Sequence, residues 1–66
     1  MMFEINWQKV SQGLDVCVMR GYTFKRKEVA GYIIYEIWKG NVLHYNALPK
    51  EEFLQFADRI FEKGVL

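Results

Sequence analysis

The chain is short of the residues that staple, ligate and catalyse. It holds one cysteine, Cys17, and one histidine, His44. A lone cysteine excludes an internal disulfide framework, and a single histidine beside it excludes an ordinary structural zinc site. Ser11 and Thr23 are the only serine and threonine, and Ser11 has no Gly-x-Ser-x-Gly setting. The five glycines are scattered, and none belongs to a phosphate-cradling loop ahead of a helix. The formal net charge is +1, so there is no global pull toward nucleic acid or membranes. Apolar runs stop at four residues, as in Tyr32-Ile33-Ile34-Tyr35, far below the ~18 that a membrane helix needs.

What is present is apolar and aromatic. Hydrophobic residues make up 52% of the 66 residues and aromatics 17%, a composition that favours a packed core over disorder. The length fits one small domain, residues 1–66. A chain of this size buries only about 60% of its unfolded surface, so stability must come from a dense core or from a partner. The opening residues Met1-Met2-Phe3-Glu4-Ile5-Asn6 lack a basic leader and an unbroken apolar run. The expectation is therefore no export signal, a cytoplasmic location, and no cofactor or metal.

Apolar periodicity orders the chain into four strands and a helix. Phe3, Ile5 and Trp7 alternate with Glu4, Asn6 and Gln8, which is strand spacing, although Phe3, Trp7 and Val10 also fit a helix. Ser11-Gln12-Gly13 reads as a turn. Residues 14–24 are rich in strand formers, and the basic run Lys25-Arg26-Lys27 leads into an expected loop up to Gly31. Residues 32–38 form the clearest strand, with apolar side chains on both sides. Lys39-Gly40-Asn41 is read as a three-residue hairpin turn into a strand over 42–47. That register sets Ile37 opposite Leu43, Tyr35 opposite Tyr45 and Glu36 opposite His44. A two-residue Gly40-Asn41 turn would move every pair. Pro49 opens a helix with Glu51 and Glu52 in its first turn, an apolar stripe of Phe53, Phe56, Ala57, Ile60 and Phe61, and Gly64 as C-cap. The expected fold is α+β: a four-stranded antiparallel meander, open or curled into a small barrel, with one C-terminal helix on one face. The stripe is expected to meet Ile33, Tyr35, Ile37, Leu43 and Tyr45.

One helix covers one face. Tyr32, Ile34 and Trp38 point to the other, with residue types suited to anchoring a partner. Arg20, Tyr22, Phe24, Lys25, Arg26, Lys27 and Lys39 offer a second candidate surface, since cations interleaved with aromatics suit single-stranded nucleic acid. For catalysis the inventory is thin. A Cys17–His44 dyad is the one thiol–imidazole option, set against Cys17 as a small buried hydrophobe between Val16 and Val18 and His44 paired with Glu36. Glu51 and Glu52 diverge by about 100° on a helix. The function expected is thus a non-enzymatic protein-interaction module, self-associating and acting as a regulator or inhibitor by occupying a partner. The alternative is a single-stranded nucleic-acid binder.

Two family resemblances accompany this reading. Strands, a basic loop and a final helix, with Val42-Leu43-His44-Tyr45 followed by Pro49, resemble the positive-cofactor-four type of single-strand-binding fold, which implies a dimer. Residues 34–57, with the Lys39-Gly40-Asn41 hairpin, Val42 to Tyr45, Leu48-Pro49 and Phe53, are similar to the KTSC domain, in which a strand pair runs through Val-Pro into a helix. Neither assigns a functional residue here.

Overall fold

The computed structural model describes residues 4–65. Five strands follow in order: β1 (Gln8–Ser11), β2 (Leu14–Met19), β3 (Tyr22–Val29), β4 (Tyr32–Lys39) and β5 (Val42–Leu48), then one helix, α1 (Lys50–Lys63). Each strand pairs antiparallel with the next. The sheet is an open meander with β1 and β5 as its edges, and α1 packs on one side of it. The α+β meander expected from the pattern is the observed fold, with one strand more.

The extra strand comes from a turn that β-propensity alone hides. Arg20 and Gly21 both take positive φ, 52° and 84°, the geometry of a two-residue hairpin turn whose twist matches its strands. Residues 14–24 are therefore two strands and not one. Ala30 and Gly31 repeat the device at 51° and 82°, so the expected basic loop is in fact the body of β3. The charges are tolerated there because Arg26 pairs with Asp15 and Lys27 with Glu36 on neighbouring strands, while Lys25 lies over the Trp38 ring. At the start, the strand begins at Gln8. Ile5 and Trp7 lie before it and pack against the core, and Phe3 lies outside the described residues.

The hairpin between β4 and β5 also departs from expectation. Its loop is the two residues Gly40 and Asn41, with Lys39 opposite Val42 and Trp38 opposite Leu43. Gly40 supplies the single positive φ, 59°, as a turn with glycine first requires. The ladder then slips, so that Ile37 faces Tyr45 and Tyr35 faces Leu48. Glu36 and His44 are not opposite one another. The slips bring Tyr45 to the helix side, where it stacks on Phe56 at 4.5 Å, and His44 sets its edge against Tyr22 at 6.2 Å.

Helix α1 follows its sequence signals. Pro49 is the N-cap residue and Gly64, at φ 79°, the C-cap, its N–H donating to the Ile60 carbonyl at 2.7 Å. Phe53, Ala57 and Ile60 are fully buried against Tyr22, Phe24, Tyr35 and Ile37. Phe53 is the centre, stacked on Tyr35 at 4.6 Å and edge-on to Phe24 at 5.4 Å. The stripe is narrower than its periodicity implies, for Phe61 is 40% exposed, Ile33 lies largely outside the core, and Leu43 belongs to the opposite side of the sheet. Trp7 closes the β1 end, stacked on Phe53 at 5.9 Å, beneath the Arg26 guanidinium at 4.6 Å.

Candidate partner-binding face

Strand alternation divides the sheet into a helix-covered face and an open one. From the observed register, the open face carries Leu14, Val16 and Val18 of β2, Thr23, Lys25, Lys27 and Val29 of β3, Tyr32, Ile34, Glu36 and Trp38 of β4, and Leu43 of β5. Tyr32, Ile34 and Trp38 are thus on one face, as expected. Tyr32 is 74% exposed and Val18 69%. Among the described residues no second layer lies over them.

The centre of this face is polar. Glu36 is only 6% exposed although no helix covers it. Its Oε1 accepts the Trp38 indole N–H at 2.8 Å, and its Oε2 lies 3.2 Å from the Lys27 Nζ. Lys25 stands directly opposite Glu36 in the ladder, yet its Nζ sits over the Trp38 ring, 4.4 Å from the centroid. Lys27 and the indole hold its two oxygens and Lys25 stands opposite it, and long amphipathic side chains of this kind can bury a group on a solvent-facing sheet. At the hairpin end, Thr23, Lys25, Trp38, Gly40 and Asn41 line a shallow cleft of about 230 Å³.

The second set of candidates is split by the same alternation. Tyr22 and Phe24 point under the helix and are core, so neither ring is open to a base. Arg26 shares their side, its Nε and Nη2 both donating to Asp15 Oδ2, at 3.0 and 2.7 Å. Lys25 and Lys27 point to the open side. Lys39 ends β4 with its Nζ 5.3 Å above the Tyr22 ring. Arg20 sits in the β2–β3 turn, its guanidinium so close to the helix end that a Cβ on Gly64 would fall 2.9 Å from Nη2. A cation there complements the helix C-terminus. Seven residues that read as one basic and aromatic stretch therefore serve two faces and a turn.

The Cys17–His44 dyad is not assembled. Cys17 lies in β2 and His44 in β5, with β3 and β4 between them, about 14 Å at ordinary strand spacing. Burial pushes the Cys17 thiol above its usual range, partly offset by a hydrogen bond from the Asn6 backbone. A thiol held protonated is a poor nucleophile. Among the described residues no group of three His, Cys, Asp or Glu side chains converges on a metal position, and no helix is long and apolar enough to cross a membrane.

The glutamate at the centre of the open face is what the residue pattern missed. The signal was the Ala30-Gly31 pair, because a two-residue turn there puts Lys25 opposite Glu36. Comparisons with protein-family models, with curated proteins and with solved structures find no match to this chain.

Proposed function

We propose that the chain is a non-enzymatic protein-interaction module that binds its partner through the open face of the sheet, acting as a regulator or inhibitor by occupying that partner. One observation carries this reading: a whole sheet face, with Val18, Val29, Tyr32 and Leu43 exposed on it, has no covering layer among the described residues. The folded chain exposes 4736 Å², against about 4,400 Å² for a compact monomer of its mass. The face measures about 500 Å² from strand spacing and rise. Covering it would bury about 1,000 Å² in total, the lower bound of a specific interface. The rigid ladder beneath it is preorganised, so little ordering entropy opposes binding. The reading places the chain in the cytoplasm, where a lone thiol stays reduced.

The test is capture from the source cell by four forms of the protein. Wild type and Arg59→Ser, altered on the exposed side of α1, should retain the same partner. Val18→Ser and Tyr32→Ser should each lose it, with unchanged circular dichroism. Equal capture by all forms would sink the open-face reading. Light scattering on the pure protein reports whether the partner is a second copy.

A further inference from the structure

We propose that the Lys25–Trp38 corner of the open face is a seat for one carboxylate side chain of an acidic partner peptide. This rests on the reading of that face as protein-binding and names the chemistry it selects. Of the three charged side chains in the open-face ladder, two satisfy each other: Lys27 lies 3.2 Å from Glu36. The other Glu36 oxygen holds the Trp38 indole N–H. Lys25 is left over. Among the described residues it meets no carboxylate, and its Nζ is held above the Trp38 ring, at the mouth of the cleft that Thr23, Gly40 and Asn41 complete. The ring fixes the ammonium in place, and Thr23 and Asn41, whose side chains carry hydroxyl and amide donors, line the same cleft. A carboxylate in the cleft would meet a positioned cation on an aromatic floor.

Charge complementarity selects this occupant over the others. A second copy stacked face to face would bring a second surplus Lys25 and no free carboxylate, because Glu36 is the one acid in the open-face ladder and both its oxygens are engaged. A nucleic-acid strand needs several phosphates neutralised. Here Lys27 is neutralised by Glu36, and Arg26 lies on the other face with Asp15.

The experiment follows the Trp38 indole N–H of the full chain by NMR. The probes are a capped hexapeptide of alternating threonine and valine with one central glutamate, and its glutamine counterpart. The glutamate peptide should shift the signal saturably and bind about fivefold more tightly than the glutamine peptide, the upper end for one part-exposed ion pair. Lys25→Arg should keep that preference and Lys25→Gln should abolish it. Because both peptides are compared on the wild-type chain, the result does not depend on how a variant folds. Equal binding of the two peptides overturns the proposal, as does a preference that survives Lys25→Gln. Tighter binding of a thymidine hexanucleotide overturns it in favour of nucleic acid. Shifts driven by protein concentration alone overturn it in favour of a second copy. If the peptides fail while Val18→Ser and Tyr32→Ser still lose the captured partner, the carboxylate seat falls and the open-face reading stands.

Discussion

Phe24 and Lys25 are neighbours in β3, yet one is fully enclosed beneath α1 and the other stands over Trp38 on the opposite side. The covered face is apolar throughout its centre, where Phe24, Ile37, Phe53 and Ile60 have no exposed surface. Its stability is that of area removed from water, about 1.5–3 kcal/mol for each large side chain. The open face has no layer among the described residues to exclude water, and its order comes from Glu36 with Trp38, Lys27 and Lys25 around it. The difference teaches that a one-helix domain of this size keeps its second face in register by pairing charges and rings across strands. That leaves the apolar flanks, Val18 and Tyr32 among them, exposed.

The contrast breaks most severely at Phe53, which touches Trp7, Phe24 and Tyr35. Phe53→Ala should cost about 3–5 kcal/mol, comparable with the whole stability of a domain this size, about 3–10 kcal/mol. The expected outcome is loss of a cooperative urea transition. A midpoint near wild type would show that the covered face is not the source of stability. The open face is probed by Glu36→Ala, which strands the Trp38 N–H and leaves Lys27 without a counter-charge. The expected loss is about 1–2 kcal/mol, read as a lower urea midpoint at unchanged slope. A loss below about 0.5 kcal/mol, the ordinary scatter for surface changes, would mean that the open face contributes nothing to the fold. The smallest effect lies at the turn shared by both faces. Ala30 holds φ 51°, which costs a residue with a Cβ about 1 kcal/mol or more. Part of that is returned to the unfolded state when glycine replaces it. Ala30→Gly should therefore raise stability by about 0.5 kcal/mol, measured as a small upward shift in Tm.

The helix, and the presence of the β4–β5 hairpin though not its register, were legible in the residue order because their signals are local. Pro49, the acidic first turn, the stripe and Gly64 each act within one turn of α1. The split of residues 14–24 was not legible, because Arg20 is not a residue that favours positive φ. The β5 register was hidden for a different reason. It depends on slips near Ile37 that place Tyr45 on Phe56, a preference set by the helix and not by the strand. Tyr32, Ile34 and Trp38 could be assigned to one face from alternation alone. The role of Glu36 could not, because its partners lie on two strands and its nearest apparent mate in the pattern was His44.

All four strand-to-strand connections are tight turns between sequence neighbours. No strand must wait for a distant segment, and the longer closures are the docking of α1 and of Trp7. Loop closure is thus the smallest part of the folding barrier, and a topology so local belongs among the faster-folding small mixed domains. The sheet can grow hairpin by hairpin from β3 and β4, so the open face, incomplete as a surface, is finished early as a ladder.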